Sequence, residues 1–321
     1  MLLTSKVAIV ELDDRAESLK NALHLIGGID DLNTNEKPVV IKVGVFSHKA
    51  DNHASVGVVD AIINNFNRTP KIFLTESDNY QGTGSERLQI WKELFTERVV
   101  PFNLSEDPEV RTVRLADQEM SLSHVLFKPN ILVDTHILRR FQRGSILKNL
   151  FGCLSTPKKA KFHKNEIFCP LLADIYEAIG GIDLAVMDGT YLWRGAGDVR
   201  VKTNILLVSR DAVAVETIGA ILAGLNPEEM PVIQEFVKRD LGEGDPDKIE
   251  ILGPSFEDLQ DSFESARKNL EERAARKILG EVNPRKDTVA SIVKRRDYSK
   301  TRVTKALRHL DYTVHKDGTF D

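Results

Sequence analysis

The residues with chemistry to offer stand just behind short apolar runs. Lys42 closes the run Val39-Val40-Ile41, and Ser47, His48 and His53 follow it. Glu76, Ser77 and Asp78 follow Ile72-Phe73-Leu74-Thr75, and Asp188 follows Leu184-Ala185-Val186-Met187. Arg139, Lys148 and Asn149 come after Ile131-Leu132-Val133. If the runs are neighbouring strands of a doubly wound sheet, their carboxyl ends border one crevice, where such folds place ligands. Glu76, Asp78 and Asp188 would then suit general acid–base chemistry, with a histidine as alternative. Lys42, Ser47, Arg139, Lys148 and Asn149, with Lys158, Lys159 and Lys161 nearby, suit a phosphate or carboxylate held by charge-assisted hydrogen bonds.

A divalent metal is a competing reading. His48, His53, Glu76, Asp78 and Asp188 would give mixed nitrogen and oxygen ligands from separate strands, and solvated loop residues are the plainer account. Glu216 falls on an apolar helix, where an unpaired carboxylate is costly, so it must reach the crevice or meet a cation or metal. Two glycine loops, Gly82-Thr83-Gly84-Ser85 and Gly195-Ala196-Gly197 beside Arg194, offer backbone N–H groups to an anion, or are ordinary turns. Neither has the glycine spacing of a dinucleotide or P-loop site. Cys153 lies ten residues before His163, but its apolar setting favours a buried small side chain over a nucleophile. The two cysteines, sixteen apart, match no metal or redox spacing and are expected reduced.

The elements that must hold these residues alternate in type. Helical spacing runs from Leu12 to Ile26, a strand covers Pro38–Val45, and a helix follows through Val58 and Phe66. A strand at Lys71–Thr75 precedes a helix through Trp91 and Phe95. Less regular β structure is expected near 99–104, 110–115 and 120–127. The second half gives a strand from Ile131, a helix at Leu171–Ile179, strands at Leu184–Met187 and Asn204–Val208, a helix at Ala212–Leu222 and a last strand at Ile249–Leu252. This is the order of an α/β fold with a mixed, largely parallel sheet covered by helices. Residues 1–254 form that body. A long helix opens at the cap Ser255 and carries one apolar stripe to Gly280, linking the body (through 283) to a small module at 284–321.

The 321 residues carry a formal net charge of −4, unevenly spread. Residues 285–321 hold ten Lys/Arg against five Asp/Glu, or +5, leaving −9 for the rest. In this tail, one helix ends at Arg296 and another follows the cap Ser299, with Thr301, Thr304, Lys305 and Arg308 on one face. A hairpin turn follows at Asp317-Gly318. The pattern resembles a winged helix-turn-helix, which implies either DNA binding through that face or a docking and oligomerisation role. The N-terminus has no signal-peptide pattern and no apolar run is long enough to span a bilayer, so a cytoplasmic protein without membrane contact is expected.

The segments LIGGIDDLNTNEKPVVIKVGVFS, KNLFGC, the glycine loop near 194–197, RDAVAVETIGAILAG and LGEGD occur in this order. They resemble the domain-of-unknown-function family 362 over roughly residues 20–253. The resemblance implies an α/β body and little about chemistry. Many such proteins append ferredoxin-type cysteine runs; this chain has none, so no iron–sulfur cluster is expected. It departs from the family in having Arg139-Arg140-Phe141 in place of a Lys-x-His, Arg194 in place of a glutamate, and Glu216 in place of a helix-start aspartate. The leading expectation is a protein that binds a small anionic ligand at the strand ends, with enzymatic use left open. A ligand-responsive DNA-binding regulator and a scaffold with a degenerate site are the alternatives, and self-association is open in each.

Overall fold

Apolar runs with no polar face form strands that are covered on both sides. The computed structural model describes residues 4–47, 51–156, 159–195 and 199–321. In chain order the first half contains β1 (Ser5–Glu11), α1 (Arg15–Leu25), β2 (Val39–Val43), α2 (Val56–Asn65), β3 (Ile72–Glu76), α3 (Gly84–Leu88) and β4 (Val99–Asn103). A hairpin of β5 (Val110–Leu115) and β6 (Gln118–Ser123) precedes β7 (Ile131–Arg140) and α4 (Ile146–Asn149). Then come α5 (Asn165–Ile179), β8 (Leu184–Arg194), β9 (Arg200–Ser209), α6 (Ala212–Leu222), α7 (Pro231–Lys238) and β10 (Ile249–Leu252). The chain closes with α8 (Phe256–Leu279), α9 (Val289–Arg296) and α10 (Lys300–His309).

Eight strands form one sheet in the order β10-β1-β9-β8-β7-β2-β3-β4. All neighbours are parallel except those of β9, which runs against both β1 and β8. Seven strands therefore present their carboxyl ends on one edge. The fold is α/β with a largely parallel mixed sheet.

Strand alternation divides the core into two layers. Ile41, Val43, Val133 and Leu74 face α1 and α2, while Val40, Leu132, Leu138 and Met187 face α4, α5, α6 and α7. Lys42, between Ile41 and Val43, must point into the second layer, as must Asp134 and His136, in step with Leu132 and Leu138. Helix starts are fixed by side-chain caps. Asp14 accepts from Ala16 and Glu17 N, and Asp211 from Val213 and Ala214 N.

Several elements exceed the sequence reading. β1 was not anticipated, nor was α7, and β7 continues from the expected Ile131–Val133 through to Arg140. The polar triplet Asp134-Thr135-His136 hides that continuation, although all three are buried. No described helix is long and apolar enough to cross a membrane.

α8 belongs to two cores: Phe263 and Leu270 pack on the body, while Ala275, Ile278 and Leu279 meet Val289, Ile292, Val303, Leu307 and Phe320. The tail is thus a small cluster of α9, α10 and a Val314–Phe320 bridge built on the last turns of α8. Thr301, Lys305 and Arg308 remain exposed and Thr304 half-buried.

Candidate functional site

A cavity of about 540 Å³ opens at the carboxyl edge of β2, β3 and β7. Two of its lining residues, Glu76 and Arg87, share an ion pair with Lys42. Lys42 Nζ lies 3.0 Å from Glu76 Oε2, and Arg87 Nη1 lies 3.5 Å from the same oxygen. All three side chains are buried. Burial acts to raise the Glu76 pKa, but the charges of Lys42, Arg87 and Lys159 outweigh it and hold the carboxyl below its ordinary value. Glu76 Oε1 also accepts from Ser77 N at 2.8 Å.

Asn149 ties this pair to the neighbouring strand. Its Oδ1 accepts from Lys42 Nζ at 3.1 Å, and its Nδ2 donates to Asp134 Oδ1 at 3.1 Å and to Lys42 O at 3.1 Å. Asp134 Oδ2 is buried with no partner among the described residues. Burial pushes the Asp134 carboxyl up to about 8, so it is largely protonated at neutral pH.

The placement of Asn149 and Lys148 depends on Glu216. Asp211 starts α6, and α6 carries Glu216 beneath the amino end of α4. There Glu216 accepts from Ser145 N at 2.8 Å and from Leu147 N at 3.0 Å. A carboxylate is well suited to these otherwise unsatisfied N–H groups. Burial raises its pKa, while these amides and Arg139 act to lower it. Glu216 therefore meets backbone donors and a cation rather than the open crevice.

The cavity wall is cationic and aromatic. Arg87, Arg139, Arg143, Lys148 and Lys159 line it, and Glu76 is the one carboxylate among its described lining residues. Arg139 Nη2 donates to Gly144 O at 3.1 Å, and burial lowers its pKa to about 10. Lys159 donates to Ser77 Oγ, and burial lowers its pKa to about 8. Lys148 is enclosed by protein on nearly all sides yet keeps some surface toward the cavity. Burial first, then Arg139 and Arg143, lower its pKa to about 7. Phe46, Tyr80, Phe141 and Phe151 supply apolar wall, and Tyr80 stands exposed at 77%.

Two glycines allow these groups to approach. A Cβ on Gly152 would lie 2.6 Å from Lys42 Nζ and 2.7 Å from Glu76 Oε1, so only glycine covers the ion pair. A Cβ on Gly44 would lie 2.3 Å from the His136 ring. His136 lines the cavity, and its Nδ1 accepts from Ile137 N at 2.8 Å. Burial keeps it neutral by lowering its pKa well below the usual histidine value.

Of the residues singled out from sequence, Lys42, Glu76, Arg139, Lys148 and Asn149 come together here. Ser47 is buried close by in sequence to the cavity-lining Phe46. Asp78 is not at the wall: its Oδ1 accepts from Gly84 N at 2.8 Å and Asn103 Nδ2 at 2.9 Å, holding the Gly82–Ser85 loop. Asp188 and His53 line a separate hollow of about 220 Å³, where Asp188 accepts from Ser55 N at 2.8 Å and Thr190 Oγ1 at 2.6 Å. Arg194 pairs with Glu271 of α8 at 3.0 Å, and Gly195 follows at the end of β8. His48 and Gly197 lie outside the described residues, as does Lys158. Among the described residues no three His, Cys, Asp or Glu side chains converge as a metal site requires. Cys153 is buried, and burial pushes its thiol up to about 12.

The sequence reading missed Arg87, His136, Arg143 and Asp134 as site residues. Asp134 and His136 carried a signal, as polar residues two apart in an apolar strand. Arg87 carried none, since it is one arginine in an unremarkable helix turn.

The sequence model of a family described as Domain of unknown function (DUF362) matches residues 39–221, more than half of the chain. The chain belongs to that family. The match contains every strand that borders the cavity and ends before α7, α8 and the basic tail. No curated protein matches the chain.

Proposed function

For a member of this family with this cavity, we propose that the chain binds a small organic anion, carrying a carboxylate or a phosphate, at the carboxyl edge of the sheet. The observation that carries the proposal is the charge balance of the wall. Five cationic side chains line the cavity, and its one described carboxylate, Glu76, is already neutralised by Lys42 and Arg87. An anion that enters such a wall is held by charge-assisted hydrogen bonds. The volume is that of a small-molecule site, and the aromatic rim gives an organic portion apolar surface to cover. Asp78 and Asp188 take no part, because their oxygens hold backbone and loop donors. Any proton transfer falls to Lys148, Lys159 or His136.

The test is titration calorimetry with sulfate and with inorganic phosphate, accompanied by thermal unfolding. Binding at 100 times the dissociation constant stabilises a protein by about 2.7 kcal/mol. Arg139→Gln and Lys148→Met should each weaken binding at least tenfold. Absence of binding at tens of millimolar anion by the wild-type chain defeats the proposal.

A second reading concerns the tail. Lys300, Thr301, Thr304, Lys305 and Arg308 border a shallow concavity of about 460 Å³ on α10, away from the body. An exposed basic helix face suits duplex phosphates. If Lys300, Lys305 and Arg308 each neutralise one phosphate, the log–log salt slope should be about −2.7. No binding to random duplex at low salt removes this reading.

A further inference from the structure

Lys148 differs from every other cation of the cavity. Lys42 is engaged by Glu76 and Asn149, Arg139 by Gly144 O, Lys159 by Ser77 Oγ, and Arg143 by His163 Nδ1 at 2.7 Å. Lys148 Nζ has no hydrogen-bond or ion-pair partner among the described residues. It stands 5.9 Å from the centroid of the Phe141 ring, with part of its surface open to the cavity. Its neighbours Arg139 and Arg143 are cations that disfavour an ammonium here, as does desolvation. Such surroundings bring a lysine toward the neutral amine that nucleophilic attack needs, at a position that lines the cavity. A lysine kept only to attract an anion would do better hydrated or hydrogen-bonded. Glu216 holds the amino end of α4, the helix that carries Lys148, through Ser145 N and Leu147 N.

Building on the anion-binding reading above, we propose that Lys148 forms an imine with the carbonyl carbon of an anionic oxo compound. The anionic group, carboxylate or phosphate, sits on Arg139 and Arg143. The Nζ lone pair forms the new C–N bond while the carbonyl π pair moves to oxygen, which takes up a proton. The resulting carbinolamine loses that oxygen as water, taking the second proton from nitrogen. Carbonyl plus amine gives imine plus water, with no oxidant or reductant. Guanidinium groups suit the anchoring role because they stay charged where a lysine amine is neutral.

Reductive trapping tests this on the full-length protein. It is incubated with glyoxylate or pyruvate in one arm and pyridoxal 5′-phosphate in another, then reduced with borohydride and mapped by peptide mass spectrometry. The expected result is one dominant adduct at Lys148, formed at least tenfold faster than at exposed lysines such as Lys268 and Lys305, and slowed by sulfate. Preference for the oxo acids or for the phosphorylated aldehyde identifies the anionic group. Lys148→Arg and Lys148→Met, checked for native unfolding profiles, should lose that adduct. Adducts spread evenly over surface lysines, or none in any arm, overturn the imine. Sulfate binding by calorimetry separates the two ideas: if sulfate binds without an adduct, only the imine falls. If neither occurs, both fall. An adduct at Lys148 that sulfate does not slow keeps the imine but overturns its anchoring on Arg139 and Arg143, and with it the anion-binding reading.

Discussion

Replacing Glu76 with glutamine removes one negative charge from the floor of the cavity and keeps nearly the same shape. Lys42 at 3.0 Å and Arg87 at 3.5 Å would then face a neutral amide, with Lys159 also in the neighbourhood. Lys42 and Arg87 have almost no access to water, with side chains each 1% exposed. Breaking a buried pair by removing one partner costs about 3–5 kcal/mol. Against a total stability of about 5–15 kcal/mol for a typical protein, that is a large share. The sign of the pH dependence follows from the depressed Glu76 pKa. A carboxyl that ionises more readily in the folded chain adds stability above its unfolded pKa, near 4.5. That stability disappears as pH falls through the folded pKa. Wild type should therefore exceed Glu76→Gln by the full amount at pH 7, with the gap narrowing below about pH 4.5. Urea unfolding followed by tryptophan fluorescence measures this, since Trp91 and Trp193 are both buried. Lys42→Met in the same background should cost less than the two single changes added together, by about 0.5–3 kcal/mol. A loss below about 1 kcal/mol at pH 7, or a gap that does not change in acid, would refute the ion-pair account.

Other expectations concern the same floor and wall. Gly152→Ala should destabilise by about 1–3 kcal/mol through overpacking against Lys42 and Glu76, and should lower sulfate affinity if the pair is displaced. Asp134→Asn should gain on wild type as pH rises from about 4 to about 8, because burial raises the Asp134 pKa and the folded chain resists its ionisation. Unfolding midpoints across that range give the comparison; a constant offset would contradict it. Sulfate affinity should fall between pH 6 and 9 as Lys148, near 7, and Lys159, near 8, lose their charges, and Lys148→Met should flatten the lower part of that profile. Calorimetry at fixed ionic strength reads both curves.

The structure gives different surroundings to residues that position along the chain treats alike. Asp78, Asp188 and Glu76 all follow strands, and all looked equally suited to acid–base chemistry. Only tertiary contacts separate them. Asp78 meets the Gly84 amide and Asp188 meets the start of α2, whereas Glu76 meets two cations. Arg87 enters the site because α3 folds back over β3, bringing its guanidinium to Val45 O at 2.6 Å.

The sequence by itself determined the α/β class, the largely parallel sheet and the strand ends at which polar groups gather. Apolar run length and helical periodicity are local properties, written residue by residue. It also marked Lys42, Arg139, Lys148 and Asn149 as candidate ligand holders, because each closes or follows an apolar run that reads as a strand. Tertiary structure alone decided their states. Whether Glu76 is ionised, Asp134 protonated or Lys148 without a partner among the described residues depends on burial and on charges some hundred residues away in the chain. Those distances are set by packing of α4 on α6 and of β2 between β3 and β7, which no local pattern encodes.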